Sequence, residues 1–230
     1  KGSPYRARGK VASLACQYGG AEGALISMGA LNFVEESELK GLVQSWRSAN
    51  PHIVNFWYEI DGAVKAAVKE HKATTVGKVY VFYQSGMLMI RLPSGRVLSY
   101  VRPRMTVNRF GSESVCYEGV GLNKKWSRVE SYGAKFCENI VRAMARDLLA
   151  EAMLRLEKAG LPPAYEGEFF HEFVTDAPQG AEKILKALEE KGYLGGLPLP
   201  DGRLLWCTTE KNTKEEMDEL VSLIREVGNR

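Results

Sequence analysis

The chain has 230 residues and a mass of 25.6 kDa, enough to bury a hydrophobic core in one large domain or two small ones. Its composition, 45% hydrophobic and 26% charged, is that of a globular protein, and no apolar run approaches the roughly 20 residues of a membrane-spanning helix. We therefore expect a soluble chain with no membrane partner. Four widely separated cysteines without metal-ligand spacing argue against a zinc site or a disulfide framework and favour the cytoplasm. The start, Lys1-Gly2-Ser3-Pro4, has no methionine and no leader pattern, so we expect a piece of a longer protein without a signal peptide.

The net charge of +3 conceals an asymmetry along the chain. Residues 1–160 carry 23 lysines and arginines against 14 acidic residues, whereas residues 161–230 carry 8 against 14. A basic excess of this size suits a polyanionic partner, although cations dispersed over solvated faces are the commoner explanation. A Gly-Leu-Pro-Pro breaker cluster at 160–163 lies at the change of sign, so we predict a domain boundary there, between 1–160 and 161–230.

The first part of the chain is rich in predicted helices. Helical segments are expected at about 4–18, 21–30, 36–49 and 51–71. Between 76 and 131 the pattern changes to short β-branched and aromatic runs separated by Ser-Gly and Pro-Ser-Gly turns, which predicts hairpin strands. From 133 to 159, apolar residues recur at intervals of three and four, which predicts one long amphipathic helix.

The last part of the chain alternates strands and helices. We predict a strand at Phe169–Thr175, a helix at Ala181–Lys191, a strand at Arg203–Thr208 and a helix at Thr213–Val227. A capping box between Thr213 and Glu216 marks the start of the last helix. The predicted fold class is α+β: helices, β-hairpins and one long helix, followed by a small β-α-β-α layer.

A stripe of residues four apart marks the first helical segment. It consists of Arg6, Lys10, Leu14 and Tyr18. Each step rises about 6 Å and drifts about 40° around the helix, so two cations and an aromatic ring share one face. Such a face suits a triphosphate, because two cations one turn apart can bind successive phosphates. On spacing alone, a solvated basic edge with Tyr18 in the core is the more frequent arrangement.

The same segment resembles a known family. Arg6-Ala7-Arg8-Gly9-Lys10, followed by Tyr18-Gly19-Gly20, is similar to the fingers motif of family A DNA polymerases, the DNA polymerase I type. The similarity continues, as in phage-type members, through residues 49–57, 91–96, 126–133 and 138–147. It covers about residues 1–160, which implies a fingers and partial-palm region.

This resemblance implies roles for individual residues. Arg6 and Lys10 would contact the triphosphate of an incoming deoxynucleotide, and Leu14 would lie against its sugar. Tyr18, followed by Gly19, would guard the insertion site.

A second set would approach the primer–template duplex: Lys135, Asn139 and Arg142. The family usually has glutamine where Arg142 stands. A glutamine amide can hydrogen-bond to bases in the minor groove, whereas the longer, charged arginine prefers phosphate, so the family's role for this position is in doubt here.

The metal-binding carboxylates of this family have no clear counterpart in the sequence. Nucleotidyl transfer uses two divalent ions, Mg²⁺ in this family, about 3.5 to 4 Å apart. The resemblance places the first aspartate upstream of residue 1. Near the expected second aspartate the chain has His171-Glu172 and Asp176, and either Glu172 or His171 falls at the required position, depending on register. A histidine does not suit magnesium, one carboxylate cannot hold two ions, and Glu172 is better explained as a solvated acid at a strand end than as a metal ligand.

The C-terminal stretch resembles a different family. Residues 168–174, 190–199 and 209–218 are similar to the C-terminal domain of glycine dehydrogenase (decarboxylating) subunit 1, the glycine-cleavage P-protein. The resemblance covers about residues 165–228 and implies a pyridoxal phosphate enzyme with a partner subunit. No Schiff-base lysine can be assigned, since Lys211 is better explained as a helix cap or a surface charge. The two resemblances meet between Leu161 and Glu168, as in a chimera.

Two functions from different classes follow from the sequence. The first is a fragment of a DNA-directed DNA polymerase that binds deoxynucleotide triphosphate and primer–template DNA but does not extend a primer alone. The alternative is a pyridoxal phosphate-dependent glycine decarboxylase fragment, and a third interpretation is a chimera without function.

Aromatic residues of the predicted hairpins add a further hypothesis. Some of them could face nucleic acid, while strand alternation puts others in the core: Tyr80, Phe82, Tyr83 and Tyr100.

Overall fold

A computed structural model describes residues 4–121, 123–167, 169, 172–207 and 212–228. The chain forms two compact units, residues 1–140 and 141–230, and the division falls inside one long helix. Helices and antiparallel sheets are both present, which confirms the predicted α+β class. The domain boundary predicted near residue 160 lies between the stretch that resembles a polymerase and the stretch that resembles the P-protein, and it stays a prediction.

The first unit opens with four helices. Their bounds are α1 Pro4–Cys16, α2 Glu22–Ser27, α3 Leu39–Ala49 and α4 Pro51–Glu70. Two short 3₁₀ turns, at 30–32 and 36–38, connect α2 to α3. Proline opens α4 at a position where its missing N–H costs no helical hydrogen bond. Buried residues of α1, α2 and α3 pack into one cluster around Cys16, Leu25 and Leu39.

A six-stranded antiparallel meander follows, in the order in which the strands occur in the chain. The strands are β1 Thr74–Val76, β2 Val79–Gln84, β3 Met87–Arg91, β4 Val97–Val107, β5 Glu113–Val120 and β6 Trp126–Ser131. Burial alternates along β2 and β3, so the sheet has one covered face and one open face. The covered face packs against α4. Val81, Leu88 and Ile90 on this face are fully buried.

The long helix α5, Gly133–Lys158, was predicted to within one residue. Gly160 ends it with φ 92°, and the Leu161 N–H donates to the Leu156 carbonyl at 2.9 Å. This is the backbone geometry of a glycine-terminated helix, in which orphan carbonyls are satisfied by the chain that turns away. Leu161 is fully buried in the core of the second unit.

The rest of the second unit is a small sheet with two helices. Its elements are β7 Phe173–Thr175, α6 Ala181–Glu189, β8 Leu197–Pro198, β9 Leu204–Trp206 and α7 Lys214–Gly228. The strand order is β7-β9-β8, all antiparallel. Residues 162–164 run beside β7, because the Ala164 N–H donates to the Val174 carbonyl at 2.9 Å. The predicted capping box is confirmed: the Thr213 N–H donates to the Glu216 carboxylate at 2.8 Å, and the Glu216 N–H to the Thr213 hydroxyl at 3.2 Å.

Within the described ranges, no helix is long and apolar enough to cross a membrane.

Candidate nucleic-acid interface

The predicted cationic stripe lies on one exposed side of α1. The side chains of Arg6 and Lys10 are exposed, and Leu14 exposes 45% of its surface on the same side. The rise from Arg6 to Leu14 is about 12 Å, as expected for eight helical residues. Neither cation forms an ion pair with a carboxylate of the residues described by the structure. Arg8, which lies off this stripe, is engaged instead, since its Nε donates to the Phe33 carbonyl at 2.8 Å.

Tyr18 does not continue the helix, so the prediction of a helix over 4–18 was wrong at its end. α1 stops at Cys16, and the chain turns through Gly19 with φ 79°. A side chain at Gly19 would be strained by this φ, and a Cβ there would lie 2.9 Å from the Cβ of Ala134. Tyr18 is half-buried at the end of the stripe rather than in line with it.

This turn lies against the start of α5. The Tyr132 hydroxyl donates to the Tyr18 carbonyl at 3.3 Å. The structure therefore brings the end of the predicted nucleotide-binding stripe next to the segment predicted to face DNA, 114 residues later in the chain. Tyr132 was not predicted as a site residue, although it belongs to the resemblance over 126–133.

Gly133 allows α5 to begin in direct contact with α4. A Cβ at this position would lie 2.2 Å from the Trp57 carbonyl oxygen and 2.6 Å from the Cβ of Asp61. The Gly133 N–H donates to the Asp61 carboxylate at 2.9 Å, and Asp61 also pairs with Lys65 at 2.6 Å. Asp61 thus caps the first turn of α5 from a neighbouring helix. Nothing in the local sequence of α4 predicts this long-range cap.

The residues predicted to face DNA are partly used inside the protein. The ammonium group of Lys135 pairs at 2.5 Å with Glu138, which is buried. The Asn139 amide donates to the Tyr100 hydroxyl at 3.1 Å. Arg142 is exposed in the part of α5 that belongs to the second unit. Lys135 therefore keeps about half of its side chain exposed, while Asn139 has one donor committed to the fold.

Burial changes the acidity of two groups near this segment. Burial raises the pKa of Tyr100 to about 12, although the hydrogen bond from Asn139 acts in the opposite direction. Burial likewise raises the pKa of Cys137 to about 12, and the Asp61 carboxylate adds to that shift. Both groups stay protonated and neutral at neutral pH, so neither supplies an anion to the site.

The structure supplies no metal centre within the residues it describes. No group of three His, Cys, Asp or Glu side chains comes together there in a way that could hold an ion. Glu172 is exposed next to β7, and its predicted neighbour His171 lies outside the described residues. The donor set in the described ranges therefore does not fit the paired magnesium ions of nucleotidyl transfer.

The second unit contains a cavity of about 600 Å³ between α5, α7 and the β8–β9 hairpin. It is lined mainly by apolar groups, among them Leu156, Leu197, Trp206 and Met217. No lysine is among the described residues that line it, and Lys211 lies outside the described ranges. The described lining includes Arg155 as a cation but no lysine, so it does not fit pyridoxal phosphate, whose aldehyde needs a lysine.

Comparison with known proteins confirms both predicted resemblances. Most of the chain is similar to a phage DNA polymerase, and part of it is similar to the glycine-cleavage P-protein. The polymerase is that of Bacillus phage SP02, 45% identical over 206 residues that cover 86% of this chain and 32% of the phage protein. The chain thus spans about a third of the length of this relative.

The second likeness is to probable glycine dehydrogenase (decarboxylating) subunit 1. The protein of Sulfurisphaera tokodaii is 38% identical over 92 residues, covering 39% of this chain and 20% of its own length. That of Desulfitobacterium hafniense is 38% identical over 97 residues, covering 38% of this chain and 22% of its own. The crystal structure of an inhibitor-bound glycine decarboxylase (P-protein) superposes with a TM-score of 0.36 at 22% identity, over 54% of this chain and 34% of that one. A likeness at that level establishes neither fold nor function.

The two sequence matches are not separated by a sharp junction. The polymerase match covers 86% of the chain, more than the 160 of 230 residues on which it was predicted. Because 86% and 39% together exceed the whole chain, the two matched ranges overlap. No protein-family model matches the chain.

Proposed function

We propose that α1 binds a deoxynucleotide triphosphate, that α5 binds primer–template DNA near its start, and that the chain does not extend a primer alone. The observation that carries the proposal is the exposed pair Arg6 and Lys10, one turn apart on α1, together with the hydrogen bond from Tyr132 to Tyr18 in the turn that follows this helix. The likeness to a phage DNA polymerase supports the same assignment.

The triphosphate would bind through charge and hydrogen bonding. Arg6 offers a planar, bidentate donor and Lys10 a compact ammonium group, so together they match two successive phosphates. Leu14 gives the sugar an apolar surface one turn further along. Tyr18 and Gly19 then form a turn held in place by the Tyr132 hydrogen bond, where the base would lie.

The duplex would meet the first turns of α5. Lys135 would exchange Glu138 for a DNA phosphate, which its exposed position permits. Asn139 keeps one amide N–H and its carbonyl for a base or sugar after its bond to Tyr100. Arg142 would contact a phosphate of the DNA backbone, because an arginine binds phosphate more readily than the glutamine amide found at this position in the resembled family.

Catalysis is not expected because the described residues bring together no group of three His, Cys, Asp or Glu side chains that could hold an ion. One carboxylate at Glu172 cannot replace two aspartates from separate strands. An upstream aspartate in a longer parent chain would still need a second carboxylate.

Nucleotide binding is tested by removing one cation at a time. We expect Lys10→Ala and Arg6→Ala each to weaken dATP binding about 10- to 100-fold, because each loses a charge-assisted hydrogen bond worth about 1.5–3 kcal/mol. Titration calorimetry of the full chain measures this directly. Lys40→Ala removes an equal charge from an exposed position on α3 and is expected to leave the affinity unchanged. Equal losses in all three variants would contradict a localised site.

Primer extension tests the second half of the proposal. With magnesium, deoxynucleotides and a primer–template, the chain is expected to add no nucleotides, whereas it should retard the duplex in a salt-sensitive manner. Templated extension would overturn the expected inactivity, and retardation that does not change with salt would contradict DNA binding through phosphate contacts.

A further inference from the structure

The open face of the six-stranded sheet carries a stacked aromatic pair. Tyr80 and Phe82 lie on the opposite side of β2 from the buried Val79 and Val81. Their ring centroids are 5.3 Å apart with 29° between the planes, and both side chains are partly exposed. The other two aromatic residues of the hypothesis lie elsewhere: Tyr100 is buried, and Tyr83 stacks on His71 at 4.1 Å.

An arginine joins the pair from the neighbouring strand. Arg91 lies directly opposite Tyr80 in the register of β2 and β3. Its guanidinium carbon is 4.8 Å from the centroid of the Tyr80 ring and 5.8 Å from that of Phe82. Arg91 is itself exposed, so the open face offers two flat rings and a cation to solvent.

The segment that forms the first four strands of the sheet is basic and contains no acidic residue. Residues 71–112, which contain β1 to β4, include seven lysines and arginines and no aspartate or glutamate. Those cations are Lys72, Lys78, Arg91, Arg96, Arg102, Arg104 and Arg109. Such a segment produces a positive potential that attracts a polyanion.

The same face extends across the sheet to an exposed tryptophan. Phe82, Met89 and Ser99 are paired across β2, β3 and β4 and form one row on the open face. In the adjacent row, Val101 of β4 pairs with Glu118 of β5, which pairs with Arg128 of β6. Trp126 lies at the far edge, about 19 Å from β2 at the usual spacing between strands. Glu118, the acidic residue in this row, is neutralised by Arg102 at 3.0 Å.

We propose that Tyr80, Phe82 and Arg91 form a stacking platform for single-stranded nucleic acid. Unpaired bases would stack on the rings, while Arg91 and its cationic neighbours would contact the phosphates. A duplex keeps its base faces covered by stacking and so gains nothing from the rings. The platform involves neither α1 nor α5, so it does not depend on the proposed nucleotide and duplex sites.

The test measures binding of an oligo(dT) of about 20 nucleotides by fluorescence anisotropy in the full chain. Phe82→Ala and Tyr80→Ala are each expected to weaken binding about tenfold or more, since each removes one stacking surface. An abasic oligomer of the same length and charge should bind the wild type more weakly and be insensitive to both substitutions. Phe82→Trp should retain binding and show quenched indole fluorescence when oligo(dT) is added.

The matched control is Phe110→Ala. Arg109 lies over the Phe110 ring at 4.7 Å, so this variant also removes one exposed ring under an arginine, but in a hairpin turn rather than on the open face. It is expected to leave oligo(dT) binding unchanged. The platform is overturned if Tyr80→Ala and Phe82→Ala bind oligo(dT) as the wild type does, if Phe110→Ala loses as much affinity, or if the abasic oligomer binds as tightly as oligo(dT).

Discussion

Replacing Gly133 by alanine is expected to lower the free energy of unfolding of the chain by about 3 kcal/mol or more. The added Cβ would lie 2.2 Å from the Trp57 carbonyl oxygen, and backbone cannot move aside as the end of a flexible side chain can. Relief requires separating the start of α5 from α4, which would also stretch the hydrogen bond from Gly133 to Asp61. Equilibrium unfolding in urea, followed by tryptophan fluorescence, gives the size of the loss.

The control for this variant is a glycine in open space. Gly9 lies inside α1, and a Cβ added there would meet no atom within 4 Å, so Gly9→Ala should raise stability by about 0.5–1 kcal/mol. If Gly133→Ala and Gly9→Ala had the same urea midpoint, the close packing of α5 on α4 would be wrong.

Alkaline pH is expected to destabilise the first unit over the range from about 9 to about 12. Burial raises the pKa of Cys137 and of Tyr100 from 9.0 and 10.0 to about 12 in each case. The unfolded chain therefore releases these protons at a lower pH than the folded chain does. The contribution of the two protonated groups to the free energy of unfolding is complete below pH 9 and is lost as the pH rises to about 12. Each pKa unit by which the folded and unfolded states differ corresponds to about 1.4 kcal/mol.

Urea unfolding at a series of pH values tests this dependence. The double variant Cys137→Ala, Tyr100→Phe should show a flatter decline of unfolding free energy with pH than the wild type. Tyr58→Phe, at a tyrosine that exposes 69% of its surface, should keep the wild-type slope. If the unfolding free energy of the double variant fell as steeply with pH as that of the wild type, other buried groups would dominate the loss of stability at alkaline pH. Tyr117 and Cys16, whose pKa values are also raised by burial, would be the candidates.

Elements with a local cause were predicted well from the sequence. α5 was placed to within one residue, because a stripe of 26 residues leaves little freedom in where it begins and ends. The start of α7 followed from the capping box of Thr213 and Glu216, which needs only neighbouring residues. Elements that depend on distant partners were predicted less well. Of the strand expected over Phe169–Thr175, residues 170 and 171 lie outside the described ranges, and Phe173–Thr175 forms a strand that pairs with β9. The two-residue strand β8 pairs with the same partner.

The site shows the same division. The spacing of Arg6, Lys10 and Leu14 was enough to place them together on α1, because helical geometry is local. The contact between Tyr18 and Tyr132 joins residues far apart in the chain, and no periodicity reports such a contact. The sequence also did not reveal on which face of the sheet each aromatic residue of the hairpins lies. That depends on the strand register, because a shift by one residue moves every side chain of a strand to the opposite face.

The stretch where the two likenesses were expected to meet has an unexpected place in the second unit. Leu161 is enclosed by the hydrophobic core, and the backbone beside it is hydrogen-bonded to β7, as between the Asp176 N–H and the Pro162 carbonyl at 2.9 Å. A tether between independently folding modules would be solvated and readily cleaved. Here the stretch is structural: cutting the chain at this point would open the core of the second unit, so we expect the residues on either side of it within that unit to unfold together.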